Sequence, residues 1–63
     1  MALVARTVNA RQVLAGWYIK DCGKFQRVVA VSRTDRGYIS ICLENNVVYE
    51  YSPTRHVVAY VES

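Results

Sequence analysis

The sequence predicts an all-β protein: a small antiparallel barrel of five or six strands with a short helical turn. Three observations carry this expectation. Eleven valines and three isoleucines accompany five tyrosines, one tryptophan and one phenylalanine. Such β-branched and aromatic side chains suit a pleated, half-buried surface and lose rotamer freedom in a helix. Turn residues interrupt the apolar runs at the roughly 8–12-residue spacing of small barrels and sandwiches. Finally, the chain has 63 residues, and a domain of that size hides only about 60% of its unfolded surface. One thin core is expected, in a single domain covering residues 1–63.

Each element has a local reason. Residues 2–8 form a first strand, or an arm set apart from the barrel by the turn at Asn9. Asn9-Ala10-Arg11-Gln12 has the form of a helix start, with Asn9 as N-cap and Gln12 placed to reach back to it. Gly16 closes that segment as a C-cap, giving a turn or two of helix, and an ordered loop over the same residues is an equal alternative. Residues 17–20 make a short strand, turned at Asp21-Cys22-Gly23-Lys24 into a longer strand over residues 25–32. Residues 33–37 are a polar loop whose Gly37 suits the left-handed position of a hairpin bulge.

Residues 38–43 alternate, with Ile39, Ile41 and Leu43 on one face and Tyr38, Ser40 and Cys42 on the other. Glu44-Asn45-Asn46 turns the chain, because asparagine tolerates left-handed conformations. Residues 47–51 alternate again, Val47, Tyr49 and Tyr51 opposing Val48 and Glu50. Ser52-Pro53-Thr54 ends that strand, since proline has no N–H for a ladder. Residues 56–61 are the last strand. The inward set that this pattern implies is Val13, Trp17, Ile19, Val28, Val31, Ile39, Ile41, Leu43, Val57 and Val61.

Composition narrows the function. A hydrophobic content of 52% excludes disorder. No run approaches the roughly 20 apolar residues of a membrane-spanning helix. Arg6 interrupts the opening stretch where an export signal needs an apolar run, and no small-residue cleavage site follows. A cytoplasmic location is expected. Cys22 and Cys42 are too few for a disulfide scaffold, so free thiols are expected.

The order of elements is a glycine turn, a strand, a glycine turn, a long strand, a polar hairpin, a strand, a tight hairpin, a strand, a proline-marked turn and a final strand. That order resembles the SH3-like barrels, Tudor and KOW types among them. The stretch over residues 13–61, with "LAGW", "GKFQRVVAV" and "GYISICLENNVVYEYSPTRHVVAYV", is also similar to very short barrel proteins of actinobacteria and their phages. The resemblance implies an SH3-like barrel with a one-turn 3₁₀ segment at Ser52-Pro53-Thr54-Arg55. It also implies a phage or bacterial accessory protein.

The chain departs from each functional subgroup of that fold. Peptide-binding SH3 domains carry acidic loops, whereas this chain is basic. Methyl-lysine Tudor cages need several aromatics converging on an acidic residue. Tyr49, Tyr51, Phe25 and Trp17 with Glu50 or Asp21 are available for one, but no spacing demands it. A fold of this kind hosts many unrelated activities.

Catalysis has little to work with. His56 is the single histidine, and Asp21, Asp35, Glu44, Glu50 and Glu62 sit mostly in turns or at strand ends. A Cys22 or Cys42 thiolate with His56 as base is conceivable chemistry, but neither cysteine carries a surrounding motif. Cys22, Cys42 and His56 offer no Cys-x-x-Cys or His-x-x-x-His pair for zinc. No enzymatic activity, cofactor, metal or small-molecule substrate is expected.

Two surface features remain. Arg6, Arg11, Lys20, Lys24, Arg27, Arg33, Arg36 and Arg55 give a net charge of +3. Lys20, Lys24 and Arg27 surround one hairpin, and Arg33 and Arg36 flank the next. With Tyr38 as an exposed ring, Lys24, Arg27, Arg33 and Arg36 would supply cations for phosphate and an aromatic face for a base. A solvated surface that keeps a small protein in solution is the plainer account of the same charges. The second feature is three adjacent valine pairs, Val28-Val29, Val47-Val48 and Val57-Val58. Neighbours in a strand face opposite ways, so each pair puts one valine outside the core.

Val29, Val48 and Val58 are the expected protein interface, because exposed apolar patches mark partner surfaces. The sequence therefore predicts a non-catalytic binding module acting through protein–protein contact. It would form a homo-oligomer through these valines and the arm over residues 2–8, added to a neighbour's sheet edge, or dock on a larger host or phage protein. The alternative is a nucleic-acid-binding barrel using Lys24, Arg27, Arg33, Arg36 and Tyr38.

Overall fold

The computed structural model describes residues 2–63. Its strands are β1 (Leu3–Asn9), β2 (Tyr18–Asp21), β3 (Lys24–Arg33), β4 (Ile39–Leu43), β5 (Val48–Tyr51) and β6 (His56–Glu62), with one 3₁₀ turn at Ala10–Gln12. The chain is all-β, as its composition predicts. The strands form one antiparallel sheet in the order β1-β6-β2-β3-β4-β5. Among the described residues no ladder joins β1 to β5, so the sheet is open and these two strands are its edges.

β3 is where the sheet bends. Its first residues pair with β2, Lys24 opposite Asp21 and Arg27 opposite Tyr18. Its later residues pair with β4, Val28 opposite Leu43 and Ala30 opposite Cys42. The register slips between Val28 and Ala30, which makes Val29 the extra residue of a β-bulge. A bulge bends its strand and sharpens the twist. The two halves of the sheet can then enclose one core, to which β2 and β6 give Ile19, Val57 and Ala59 and β4 gives Ile39, Ile41 and Leu43.

That core is small. Ala10, Val13, Ile19, Val28, Ile39, Ile41, Leu43, Val57 and Ala59 are buried, and Ile41, Leu43, Val13 and Val28 are its largest fully buried side chains. Seven of these nine belong to the inward set read from alternation. Trp17 and Val31 lie at the margin, half-buried and packed against the cluster. Val61 is half-buried as well. Ala10 and Ala59, outside that inward set, complete the core.

The helical segment is shorter than its capping pattern implied. The Gln12 side chain does accept a hydrogen bond from the Asn9 amide, at 3.0 Å. However, the turn stops at Gln12, because Val13 adopts an extended backbone (φ −69°, ψ 134°) and buries its β-branched side chain. Gly16 belongs instead to the following turn, where its amide donates to the Val28 carbonyl at 2.8 Å.

Of the two readings of residues 2–8, the first strand is the one that forms. It lies along β6 of its own chain, in a continuous register from Leu3 opposite Glu62 to Asn9 opposite His56. The edge that β6 would otherwise leave bare attracts the arm within the molecule.

Turn chemistry explains the remaining connections. Cys22 (φ +51°) and Gly23 (φ +81°) give the β2–β3 hairpin two successive left-handed residues, the I′ pattern whose twist matches the strands. In the β3–β4 loop Gly37 is left-handed (φ +84°), as expected for a hairpin bulge. The Thr34 amide donates to the Tyr38 carbonyl at 2.8 Å, and its hydroxyl accepts from the Tyr38 amide at 3.2 Å. Before β6, the Arg55 amide donates to the Ser52 carbonyl at 3.0 Å, closing a single turn. Among the described residues no helix is long and apolar enough to cross a membrane.

Candidate functional site

The nucleophilic and metal-ligating side chains are spread across the fold. Cys22 is exposed in the β2–β3 turn, and Cys42 is half-buried on the face of β4 turned away from the core. His56 begins β6 opposite Asn9. Both cysteines are free thiols. Among the described residues no three of His, Cys, Asp and Glu are placed to hold a metal ion.

One polar cluster does assemble. The Tyr49 hydroxyl donates to the Asp21 carboxylate, which also accepts from the Asn45 side-chain amide at 3.2 Å. That bond, with burial and the Asp21 charge adding to it, pushes the Tyr49 hydroxyl up to about 12. The Tyr51 ring stacks beside Tyr49 with centroids 5.9 Å apart and planes 14° apart, and the Arg55 guanidinium lies 5.8 Å from the Tyr51 centroid.

This is not a cation cage. Two parallel rings make one wall, and Arg55 already occupies the outer neighbourhood of Tyr51 with its own positive charge. Phe25, a potential second wall, packs edge-on against Tyr60 at 4.8 Å with Lys20 over its ring at 5.4 Å. Glu50 lies on the opposite face of β5 from the two tyrosines, because strand neighbours alternate. The cluster ties the hairpin of one half of the sheet to the edge strand of the other.

The basic set divides in two. Lys24 begins β3 and Arg33 ends it, and ten residues of strand separate such ends by about 30 Å. Arg33, Arg36 and Tyr38 come together on the β3–β4 loop, where Tyr38 is exposed. Lys24 and Arg27 belong to the other end, beside β2. A single groove containing all four cations and the ring is not formed.

The valine pairs divide as alternation demands. Val28 and Val57 are buried and Val47 is packed against the core, whereas Val29, Val48 and Val58 are 52%, 52% and 48% exposed. The three outward valines do not make one patch. Val58 stands on β6 opposite Thr7, in the β1–β6 half of the sheet. Val29 and Val48 belong to the other half. There the register aligns Ala30, Cys42 and Val48 in one row across β3, β4 and β5, with Ser32, Ser40 and Glu50 in another. Ala30, Cys42, Ser32 and Ser40 are small, and the larger side chains of the two rows, Val48 and Glu50, are both on β5.

The bulge adds a feature that the sequence did not disclose. Val29 and Ala30 are both exposed, so two successive side chains turn outward. Beside them is a shallow depression of about 300 Å³ lined by Ala15, Gly16, Arg27, Val28 and Val29. Ala15 and Val29 bring exposed apolar side chains to it, and Arg27 brings one cation. Leu14, 59% exposed, sits next to it in the chain. No glycine or proline marks the bulge in the sequence, so only the exposed valine of the Val28-Val29 pair could have pointed to it.

No protein-family model matches the chain, and no curated protein and no solved structure matches it.

Proposed function

We propose that this chain is a non-catalytic binding module of SH3-like build that docks on a larger protein through the bulge of β3. The strand order is consistent with that build. β6 returns beside β2 after the single turn at residues 52–55, and β1 is an addition outside β6. The observation that carries the function is the depression at Val29. Its lining joins the apolar side chains of Ala15 and the half-exposed Val29 to one cation, Arg27. An apolar side chain next to a carboxylate on the partner would bury the first and pair the second. The molecule's net charge of +3 favours approach by such an acidic segment. The role is that of a small accessory protein on a larger bacterial or phage protein.

Selection from a displayed library of random peptides tests this reading. Peptides retained by the wild-type protein are expected to combine acidic and large apolar residues, and to be lost on Val29→Asp. Peptides of no shared chemistry, or retention by Val29→Asp, would count against it.

A second reading rests on the loop that gathers Arg33, Arg36 and Tyr38. It is a nucleic-acid contact with two guanidinium groups and one exposed ring. Binding of single- and double-stranded oligonucleotides that weakens steeply with salt, and is lost on Arg33→Glu with Arg36→Glu, would favour it.

A further inference from the structure

We infer that the free edge of β1 is a self-pairing surface, and that two copies of this chain join β1 to β1 in an antiparallel two-fold ladder centred on Ala5. The backbone geometry carries the inference. The Ala2 carbonyl accepts from the Ser63 amide at 3.0 Å, and the Ala10 amide donates to the Arg55 carbonyl at 2.9 Å. Both fall in the register that sets Leu3 opposite Glu62 and Asn9 opposite His56. Alternate residues of a strand turn their N–H and C=O to the same side. Val4, Arg6 and Val8 therefore bond to β6, while Leu3, Ala5 and Thr7 point their backbone groups away from it. At Asn9 the outward amide is already taken by Gln12. Three residues are left presenting a bare row of donors and acceptors.

The sheet's other edge is defended and this one is not. β5 has four residues, carries Glu50 within them, and is followed by Pro53. Short length, charge and proline are the usual means of blunting an edge. β1 has seven residues and no proline, and its one charge, Arg6, sits at a position whose backbone bonds inward.

A second copy fits this edge because the row is self-complementary. With the axis at Ala5, that residue meets its own counterpart, Leu3 meets Thr7, and Val4 meets Arg6. Ala5 meets its counterpart as a hydrogen-bonded pair on the axis, and the non-hydrogen-bonded Val4–Arg6 pairs on either side bring their side chains closer still. The stem of each Arg6 covers a Val4 that is 47% exposed in the single chain. A ladder centred on Arg6 would oppose two like charges, and one centred on Thr7 would call on the occupied amide of Asn9. Only the Ala5 register pairs the three free residues wholly among themselves. Closed two-fold pairing also ends the exposed edge without leaving a new one to propagate.

Light scattering coupled to size exclusion, over a roughly hundredfold concentration series, reads the assembly. The wild-type mass is expected to rise from the 7.2 kDa of one chain towards twice that value. Ala5→Pro removes an N–H that β6 does not use, so the β circular dichroism is expected to persist while the mass stays at one chain. Ala5→Lys sets like charges on the axis and should give the same loss without a proline's backbone demands. Val48→Asp, on the far half of the sheet, should leave the wild-type mass shift unchanged. A wild type that stays at one chain throughout overturns the inference. So does a dimer that survives both Ala5 substitutions or is split by Val48→Asp.

Discussion

The Tyr49 hydroxyl on β5 donates to the Asp21 carboxylate at the tip of the β2–β3 hairpin, fastening one edge of the sheet to a turn from its other half. The bond exists only while Tyr49 keeps its proton. Its folded value, about 12, lies above the unfolded 10.0. The folded state therefore binds more protons than the unfolded chain between these values, and stability must fall as pH rises through that window. The contribution is fully present below 10. Tyr18, raised through its bond to Glu62, adds a slope of the same sign. Denaturant midpoints measured from neutral pH upward should drop across this range, and Tyr49→Phe should lower the neutral-pH midpoint and flatten much of the drop. An equally steep fall in Tyr49→Phe would contradict the assignment.

Cys22 occupies a left-handed position, φ +51°, in a hairpin that favours asparagine, aspartate or glycine there. Cys22→Asn should raise stability by roughly 0.5–1 kcal/mol, because cysteine bears the steric cost of that conformation. Cys22→Val should lower it. Equilibrium unfolding of the pair under reducing conditions gives the comparison, and a reversed order would mean that the turn has another geometry.

Position on the pleat, not hydrophobicity, should decide the cost of substitution. Ile41 is fully buried, and Ile41→Ala should cost about 2–5 kcal/mol, a large share of what a core this small provides. Val48 is 52% exposed, and even Val48→Asp should cost about 1 kcal/mol or less. Thermal melts of the two variants distinguish them directly. A Val48→Asp protein that failed to fold would place Val48 in the core.

The parts of this fold that were legible in the sequence are those set by local periodicity. Period-two alternation separates Val47 from Val48 and Val57 from Val58, and Ile39, Ile41 and Leu43 face inward as the pattern requires. The same rule, carried through Val57 and Val61, would have placed Ala59 inside. Its small side chain hid it. What depends on non-local pairing was not legible. Leu-Val-Ala-Arg-Thr-Val-Asn has no clean alternation, so nothing in it names β6 as its partner. The cations from Lys24 to Arg36 are close in sequence, yet an extended strand carries them to opposite ends of the molecule. Gly16 reads as a helix cap only until Val13 is seen to leave the helix for the core.

The proposed docking at the β3 bulge is read most directly by titrating isotope-labelled protein with a selected acidic–apolar peptide and following each backbone amide by NMR. Shifts are expected at Gly16, at residues 27–30 and at Cys42 and Val48, with the loop carrying Arg33, Arg36 and Tyr38 unmoved. Shifts confined to that loop, or to β1, would contradict it.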